Sequence, residues 1–310
     1  MGQKTFLSVG ECMIEMASLG ASELGEADFR LGFAGDTMNT AWYARACLPR
    51  DNWDVAYFTR LGEDVYSKKM LTFFDESGID TRLIGLAPSR RPGLYMIEIA
   101  NGERSFTYWR DQSAARTLAD DRQSLSAAFG AADVIYFSGI TMAILPQAGR
   151  VNLLEEVSKA RQAGKTVVFD PNLRPRLWSS ADEMRAVTMQ AAEAADILLP
   201  SFDDEAATFG DADLDACADR YIAAGANMVL VKNGGGPMLL AEPQGRHLTS
   251  AIDRVQPIDT TGAGDSFNGG FLSALITGAT PDEAIARGHA ISLQVIMHRG
   301  ALVPMTEIIL

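Results

Sequence analysis

The sequence predicts an α/β protein with a mostly parallel central sheet, helices on both faces of that sheet, and a small additional β-sheet. Two observations predict the central sheet: strands and helices alternate through the second half of the chain, and those strands are almost continuously apolar. A third observation, a group of alternating or aromatic strands in the first third, predicts the small sheet. We therefore expect one domain over residues 1–310, with a lid formed by about 11–35 and 90–112.

The second half of the chain supplies most of the predicted central sheet. Apolar runs predict strands at 133–137, 166–170, 196–200 and 228–232, and the segments between them predict helices near 146–163, 180–194, 203–209 and 213–224. Ser179 or Ser180 is the expected N-cap of the second of these helices. Ligands of parallel sheets bind beyond the carboxyl ends of the strands, where this chain carries Asp170, Ser201 and Lys232.

The first third of the chain has a different pattern. A core strand is predicted at 6–10, and further strands at 12–18, 94–100 and 104–109 alternate in polarity or carry aromatic residues. Asn101 and Gly102 form a dipeptide that favours a two-residue hairpin turn between the last two strands. Strands of this kind, half exposed above the strand ends of the central sheet, are expected to form the lid.

Composition excludes several classes of function. The formal net charge is −13 and the chain has no basic run, which argues against nucleic acid or an anionic membrane as a partner. Three cysteines far apart in sequence, the absence of a signal-peptide pattern and the absence of a membrane-length apolar run predict a reduced, cytoplasmic protein. The three histidines have no metal-ligand spacing, and we assign no direct metal ligand.

A glycine-rich turn, DTTGAGDSF at 259–267, precedes an apolar helical segment. Backbone N–H groups of Gly262, Ala263 and Gly264 at a helix N-terminus favour an anion, whereas Asp265 would repel one. The two features agree if Asp265 is a general base that takes a proton from an attacking hydroxyl beside the anion. The alternative is an ordinary N-cap before a buried helix.

A second glycine-rich segment, KNGGGPML at 232–239, follows a predicted strand. It is typical of a loop along the phosphates of ATP, although a hairpin with flexible glycines has the same composition. The chain has no GxxxxGK[ST] motif and no GxGxxG after its first strand, which excludes a P-loop kinase and a Rossmann dinucleotide enzyme. The residues predicted to contact ATP are Ser201, Lys232, Asn233, Gly234, Gly235, Gly236, Thr261, Gly262 and Gly264.

A third segment, GFAGDTMNTAWYAR at 32–45, opens another predicted helix. Gly35 would allow a substrate to approach the backbone, and Asp36 and Asn39 would bind hydroxyl groups. The alternative is a capped helix in which Asp36 is the N-cap and Asn39 only stabilises the turn.

These motifs together resemble the ribokinase-like (PfkB) carbohydrate kinases, and a larger set resembles their 2-keto-3-deoxygluconate kinase branch. That set, in chain order from Gly10 to Pro304, is GECMIEM, AGDTMNTA, PGLY, ERSFTYWR, FSGITMAIL, FDPNLRPRLW, IDTTGAGDSF and HRGALVP. The resemblance implies a ribokinase-like fold and transfer of the γ-phosphoryl group of ATP to the 6-hydroxyl of a sugar acid. It also implies Mg²⁺ bound with the nucleotide and a homo-oligomer joined through the lid, and it leaves a monovalent cation open.

A sugar-acid substrate requires local cations in this acidic protein. Arg110, two residues from Tyr108, and Arg174, just past a strand end, are predicted to bind the carboxylate, since guanidinium groups match carboxylates. The full predicted substrate set is Gly35, Asp36, Asn39, Tyr95, Tyr108, Arg110, Asn172, Arg174 and Asp265. For each arginine the alternative is a surface ion pair, for example Arg110 with Asp111. Arg176 and the segment 60–64 are interpreted as structural.

The chain departs from the family pattern at two points. Ala34 precedes Gly35 where the family often has a glycine doublet, and Ser201 stands where the family commonly has asparagine. Either Asp204 or Glu205 could be the acid that organises Mg²⁺. Two other functions are alternatives. A fructokinase- or ribokinase-like enzyme for a neutral sugar would leave Arg110 and Arg174 without a ligand, and an inactive sugar-binding regulator would leave Asp265 without a role.

Overall fold

The computed structural model describes residues 2–21, 27–100, 103–249 and 255–310. Its strands are β1 Lys4–Val9, β2 Met13–Ala21, β3 Ala27–Ala34, β4 Trp53–Phe58, β5 Arg60–Leu61, β6 Gly85–Leu86, β7 Leu94–Ala100, β8 Glu103–Trp109, β9 Val134–Ser138, β10 Thr166–Asp170, β11 Ile197–Leu198, β12 Met228–Val231, β13 Leu239–Glu242 and β14 Gly245–Leu248. Its α-helices are α1 Asp36–Cys47, α2 Val65–Glu76, α3 Arg122–Ala131, α4 Gly139–Ile144, α5 Gln147–Gln162, α6 Ala181–Glu193, α7 Phe202–Phe209, α8 Leu214–Ala223, α9 Ala263–Ile276 and α10 Pro281–Val295. Short 3₁₀ helices occur at Ala114–Thr117, Pro175–Leu177 and Met305–Glu307.

The central sheet has eight strands in the order β14-β13-β12-β11-β10-β9-β1-β4. The six strands from β12 to β4 are parallel, and β13 and β14 extend one edge as an antiparallel hairpin. The predicted mostly parallel α/β architecture is therefore confirmed. Because β1, β9, β10, β11 and β12 run in the same direction, the polar residues that follow them meet at one edge of the sheet.

Two layers of helices cover the central sheet. Successive side chains of a strand point to opposite faces, so Leu7 and Val9 pack on one face while Phe6 packs on the other, and all three are fully buried. Helices α3, α5, α6 and α8 contribute to the first layer, and α1, α2, α9 and α10 to the second. The site-bearing helices α1 and α9 are thus held beside each other against one face.

The small sheet has the strand order β3-β2-β7-β8 and pairs with neither edge of the central sheet. Strands β7 and β8 are antiparallel, with Leu94 opposite Trp109. The predicted turn residues Asn101 and Gly102 lie outside the described residues. Strand β3 falls within the range predicted for the lid, although the sequence pattern did not identify it as a separate strand.

Local sequence patterns correctly predicted where several strands and helices begin or end. Strand β10 has the predicted bounds, and Ser180 caps α6 by accepting the N–H of Glu183, which decides between the two serines proposed. Helix α9 begins three residues earlier than its apolar periodicity from Ser266 suggested, and its N-cap is Gly262. No helix within the described ranges is both long and apolar enough to cross a bilayer.

Candidate active site

Two adjoining cavities lie at the carboxyl edge of the central sheet. Cavity A, about 420 Å³, is bounded by side chains of the small sheet and by residues that follow β1, β10 and β11. Cavity B, about 360 Å³, lies between the β12–β13 connection and helices α9 and α10. Both cavities are lined by Ser201, Lys232, Thr260, Ala263 and Gly264. These five residues therefore mark the place where ligands of the two cavities would meet.

The fold brings nearly all the predicted site residues to these cavities. Cavity A is lined by Gly35, Asp36, Asn39, Tyr95, Tyr108, Arg110, Asn172, Arg174, Thr261, Gly262 and Asp265, besides the shared residues. Gly234 and Gly235 line cavity B. Asn233 and Gly236 line neither cavity. The Asn233 amide instead closes the hairpin turn by donating to the Pro237 carbonyl at 3.2 Å, so the glycine-rich segment is both a hairpin and a cavity wall.

Asp265 lies in the first turn of α9 and lines cavity A, one residue after Gly264, which lines both cavities. The side-chain amide of Asn39 donates to its Oδ2 at 2.8 Å. Burial, and then the charge of Asp36, raise the pKa of Asp265 to about 7, while the Asn39 hydrogen bond and the charge of Lys232 act in the opposite direction. A carboxylate with a pKa near neutrality is suited to accept a proton from a hydroxyl.

Asp36 is the first residue of α1, and its carboxylate lies at the wall of cavity A. It is not an N-cap: that position is Gly35, which makes no side-chain cap. Asn172 donates to Asp36 at 2.8 Å, and burial nevertheless raises the pKa of Asp36 above its usual value. A Cβ on Gly35 would lie 2.1 Å from the backbone oxygen of Glu11, so the glycine is required by backbone packing and not only by substrate approach.

Asn172 lies two residues after the end of strand β10 and has an unusual backbone conformation. Its φ of 35° makes it the one non-glycine residue with positive φ in the described part of the chain. Its N–H donates to the Asp170 carboxylate at 3.2 Å, and its side chain reaches Asp36. Strained residues of this kind cluster at functional sites, where surrounding contacts hold them in place.

The turn before α9 presents backbone donors to the cavities. Gly262 has φ 76°, and a Cβ there would also lie 2.8 Å from the Ala301 carbonyl, so this position requires glycine. The N–H of Ala263 donates to the Thr260 carbonyl at 3.2 Å. Within the described residues, the N–H groups of Gly264 and Asp265 have no such acceptor. Of the predicted anion donors, the N–H of Ala263 is therefore already bonded within the turn, and the anion-binding role of the turn stays a prediction.

Three arginine side chains line cavity A, and two of them have carboxylate partners. Arg110 is buried and pairs with Glu11, not with Asp111 as the surface alternative supposed. Arg110 Nε and Glu11 Oε1 are both buried with no hydrogen-bond partner from the described residues. Arg174 donates to the Leu173 carbonyl at 2.7 Å and lies 3.3 Å from Asp204.

Arg176, which the sequence suggested was structural, also lines cavity A. It donates to the Tyr108 hydroxyl at 2.7 Å, and its guanidinium carbon lies 4.6 Å from the centre of the Tyr108 ring. Tyr95 stacks on Tyr108, with ring centres 5.6 Å apart. The Tyr95 hydroxyl donates to Glu15, so Tyr95 presents its ring to the cavity and its predicted hydroxyl contact is already in use.

Lys232 connects the two cavities through a buried polar group. Its Nζ donates to Asn268 at 3.0 Å and lies 3.6 Å from Asp170, while Asn268 donates to Asp170 at 2.7 Å. An ideal Cβ on Gly264 would lie 3.8 Å from Nζ, which places this ammonium beside the turn. The sequence did not identify Asn268, although its position one helical turn after Asp265 was an available signal.

Asp204 and Glu205 occupy different environments. Asp204 lines cavity A, whereas Glu205 is fully buried and bonds Arg220 at 2.9 Å and the Tyr221 hydroxyl at 3.0 Å. Of the two acids left open by the sequence, only Asp204 reaches a cavity. The sequence pattern also did not single out Glu11, although its place two residues after β1 was an available signal. Asp170, the last residue of β10, was indicated by its position at the strand end.

A model of the pfkB family of carbohydrate kinases matches residues 3–308. The chain belongs to this family. It is 38% identical over 312 residues to a 2-dehydro-3-deoxygluconokinase of Dickeya dadantii, in an alignment that covers 98% of each protein. It is also 38% identical over 308 residues to a 2-dehydro-3-deoxygluconokinase of Escherichia coli K12, with 97% of each covered.

Solved structures agree with the ribokinase-like fold expected from the sequence. A PfkB protein from Polaromonas sp. JS666 superposes with a TM-score of 0.82 at 26% identity, covering 94% of each chain. An Escherichia coli protein assigned as ribokinase II, solved with ATP and Mg²⁺, superposes with a TM-score of 0.82 at 18% identity, covering 97% of this chain and 94% of that one.

Proposed function

We propose that this protein transfers the γ-phosphoryl group of ATP to the 6-hydroxyl of 2-keto-3-deoxygluconate, also called 2-dehydro-3-deoxygluconate. The observation that carries the proposal is the position of Asp265, a half-buried carboxylate whose pKa is raised to about 7. It lines cavity A one residue after Gly264, which lines both cavities. The near full-length likeness to enzymes that act on this sugar acid supports the substrate.

In the proposed reaction Asp265 is the general base. The 6-hydroxyl oxygen forms a bond to the γ-phosphorus of ATP, its proton passes to the Asp265 carboxylate, and the bond from the γ-phosphorus to the β–γ bridging oxygen breaks to release ADP. Asn39 fixes the orientation of the carboxylate through its 2.8 Å hydrogen bond. Burial disfavours the negative charge of Asp265, which gives the carboxylate a reason to accept the proton.

The transferring phosphoryl group would be held at the turn before α9. We assign its backbone donors to Gly264 and Asp265, with Gly262 holding the turn in its left-handed conformation and Ala263 one residue further from the anion. Lys232 Nζ is the cation beside this turn. Such donors stabilise charge on the transferring group without reorganising during the reaction.

Mg²⁺ would enter with ATP as part of the substrate and would offset the charge of the phosphate oxygens. The cavity walls offer donors that suit such an ion: Asp204 offers a hard carboxylate oxygen in cavity A, and Ser201, which lines both cavities, offers a hydroxyl. We propose that Asp204 orders the water around it. Replacing sodium by potassium in the assay described below tests whether a monovalent cation also takes part.

Cavity A would hold the sugar acid and cavity B the nucleotide. We propose that Asp36, Asn39 and Asn172 bind hydroxyl groups, with Gly35 shaping the backbone beside them, and that Arg110, Arg174, Tyr95 and Tyr108 surround the carboxylate end. On the nucleotide side Gly234 and Gly235 line the cavity beside apolar Met238, Phe267 and Leu293. Thr261, which lines cavity A, and Asn233 and Gly236 of the hairpin are proposed to lie near the phosphates, as the sequence predicted.

We further propose that the small sheet is a lid that closes over cavity A and excludes water from ATP. Its edge strands β3 and β8 carry exposed Leu31 and Trp109, 40% and 55% exposed, which suits assembly of a homo-oligomer through the lid. Light scattering of wild type and Trp109→Glu tests this, with loss of the oligomer expected in the variant.

We also propose that the enzyme is cytoplasmic. The free thiols of Cys12, Cys47 and Cys217 and the need for ATP support this location.

A coupled ADP-release assay tests the proposed function. The panel contains 2-keto-3-deoxygluconate, its C4 epimer, gluconate, fructose and ribose, and each compound is assayed with and without Mg²⁺. We expect kcat/KM for 2-keto-3-deoxygluconate to exceed that for fructose and ribose by at least about 100-fold, since a site built for a charged group rejects ligands that lack it. Preference for a neutral sugar would identify the alternative activity, and no turnover with any compound would favour a sugar-binding regulator.

A further inference from the structure

The buried carboxylate of Asp170 has a different partner on each oxygen. Asp170 is the last residue of β10, lines cavity A and is 3% exposed. Its Oδ1 accepts the backbone N–H of Asn172, another residue of cavity A, at 3.2 Å. Its Oδ2 accepts the side-chain amide of Asn268 at 2.7 Å and lies 3.6 Å from Nζ of Lys232, which lines both cavities. A buried carboxylate with these partners restrains them, because moving one of them would leave a charge without its partner.

The polar chain from Asp170 through Asn268 to Lys232 has a fixed direction. A carboxylate only accepts hydrogen bonds and an ammonium only donates them, whereas an asparagine amide donates at one end and accepts at the other. Asn268 must therefore turn its Nδ2 to Asp170, which leaves its Oδ1 to accept from Lys232 Nζ at 3.0 Å. Asn268 is fully buried, so losing either partner is costly. Asp170 thus determines which end of Asn268 Lys232 meets.

Lys232 is held at the turn before α9, where the phosphoryl group is proposed to bind. Its side chain is 9% exposed, and an ideal Cβ on Gly264 would lie 3.8 Å from Nζ. Asn268 accepts one of the three N–H groups of Nζ, so others can donate to an anion at the turn. A lysine ammonium ends a flexible four-carbon stem. Its direction therefore depends on the groups that hold it.

We propose that Asp170 is a positioning residue for phosphoryl transfer, which acts through Asn268 to orient Lys232 Nζ towards the transferring phosphoryl group. The inference rests on the proposed function and deepens it. A cation fixed before the reaction stabilises the charge of the transferring group without reorganising. The other oxygen of Asp170 holds the backbone of Asn172, so the same carboxylate also sets the geometry of a proposed sugar contact.

The test exchanges the acid and the amide of this polar chain. Asp170→Asn, Asn268→Asp and the double variant are compared with wild type by steady-state ADP release. In Asp170→Asn, two amide N–H groups face each other unless Asn268 turns, and a turned Asn268 presents its N–H groups to Lys232. Asn268→Asp places two carboxylates side by side. In the double variant the order is restored, because the amide at position 170 donates to the carboxylate at position 268, which accepts from Lys232.

We expect Asp170→Asn to lower kcat by roughly 10- to 100-fold, since displacing a catalytic group by about 1 Å has effects of this size. KM for the sugar acid should stay within about threefold, because the amide still offers an oxygen to the Asn172 N–H. Asn268→Asp should also lower kcat. The double variant should recover most of the kcat lost in either single variant, a result that a merely structural role does not predict.

A second comparison tests whether the effect passes through Lys232. Lys232→Met removes the ammonium but keeps a long unbranched side chain, and it should lower kcat by roughly 10²–10³-fold, the usual effect of removing one donor to a developing charge. Adding Asp170→Asn to Lys232→Met should change kcat by less than about threefold more, because the two substitutions affect one interaction.

Asp196→Asn is the matched control. Asp196 precedes β11 at the opposite end of the parallel strands, accepts from Arg161 at 2.8 Å and lines neither cavity. The same acid-to-amide change there should leave kcat within about twofold of wild type. Thermal melting of every variant gives the folded fraction to which kcat is referred. If Asp170→Asn does not fold, Asn268→Asp and the double variant provide the same comparison.

Three results would overturn the inference. The first is a kcat near wild type in Asp170→Asn, and the second is a double variant that folds without regaining kcat. The third is a full additional loss when Asp170→Asn is combined with Lys232→Met, which would show that Asp170 acts independently of the lysine. Failure of the proposed function looks different, because wild type itself would then not turn over 2-keto-3-deoxygluconate.

Discussion

Asp265, which is half-buried at cavity A, and Glu205, which is fully buried, are two carboxyl groups whose surroundings can be compared directly. Burial is the largest cause of a raised pKa in both, and it brings each to about 7. Glu205 is enclosed by partners: Arg220 and the Tyr221 hydroxyl bond its oxygens, and Asp211 shares the same arginine. Asp265 has Asn39 as its hydrogen-bond donor and otherwise faces a cavity.

The comparison teaches that a raised pKa does not by itself locate an active site. Glu205, Asp211 and Cys217 even lie close enough to resemble a metal site, but Arg220 already occupies the centre of that cluster as its cation. Asp265 differs because unoccupied backbone donors, a lysine and an open cavity surround it. Access and neighbouring donors distinguish a catalytic carboxylate from a structural one.

The largest expected difference between replacing Asp265 and replacing Glu205 is in the turnover number kcat. Asp265→Asn should lower kcat by ~10²–10⁴-fold with small changes in either KM, because the amide accepts no proton. Glu205→Gln, the matched control, should keep kcat within about threefold, since Glu205 touches neither cavity. Both are measured by steady-state ADP release. Near wild-type kcat in Asp265→Asn would place the base elsewhere and remove the basis of the comparison.

The next largest expected difference between the Asp265 site and the Glu205 cluster is in the free energy of unfolding. Arg220→Ala should lower the free energy of unfolding by about 3 kcal/mol, because it leaves Glu205 and Asp211 buried without their cation. Urea denaturation measures the loss, and ADP release measures the specific activity of the folded fraction. We expect that activity to stay near wild type. A variant that is stable but inactive would mean that the Glu205 cluster serves the reaction.

These assignments also show how much of the fold and of the candidate site could be predicted from the sequence. The alternation of apolar strands and helices predicted β10 to the residue, because parallel strands buried on both faces leave a strong local pattern. The motif around Asp265 predicted its place at a helix N-terminus. Which N–H groups of this turn lack an acceptor within it was not predictable, because the Ala263 N–H bonds the Thr260 carbonyl only once the turn has formed.

Long-range pairing limited the rest of the prediction. Arg110 was assigned to the substrate from its spacing to Tyr108, but its partner Glu11 is 99 residues away and joins it only after the small sheet forms. The contact between Arg176 and Tyr108 spans 68 residues in the same way. No local periodicity contains such information, and the charge balance of cavity A could therefore be assessed only from the structure.

A smaller effect concerns the pH dependence of turnover. Because Asp265 must be ionised to accept a proton and its pKa is raised to about 7, kcat should fall about tenfold for each pH unit well below 7 and level off above it. The Glu205→Gln variant should keep the same profile. A profile that is flat from pH 5 to 8, or one that moves in Glu205→Gln, would contradict the assignment of the titrating group.

The smallest expected effect is on the pH dependence of stability. The raised pKa values mean that the folded state holds more protons than the unfolded state between about pH 4 and 7, so the free energy of unfolding should fall as pH rises through this window. Asp265→Asn removes one such group and should be more stable than wild type at pH 8 by about 1–2 kcal/mol. Denaturation at pH 5 and pH 8 checks this, and an equal decrease in variant and wild type would show that Asp265 is ionised in both states at pH 5.

The central claim, that Asp265 directs phosphoryl transfer from ATP to one hydroxyl of a sugar acid, is tested most directly by identifying the product. Wild type and Asp265→Asn are incubated with ATP, Mg²⁺ and 2-keto-3-deoxygluconate labelled with ¹³C at C6, and the mixtures are examined by ³¹P and ¹³C NMR. We expect one new phosphate monoester whose phosphorus couples to C6, formed by wild type and almost absent from the variant. Phosphate on another carbon, ADP with inorganic phosphate alone, or equal product from Asp265→Asn would contradict the account.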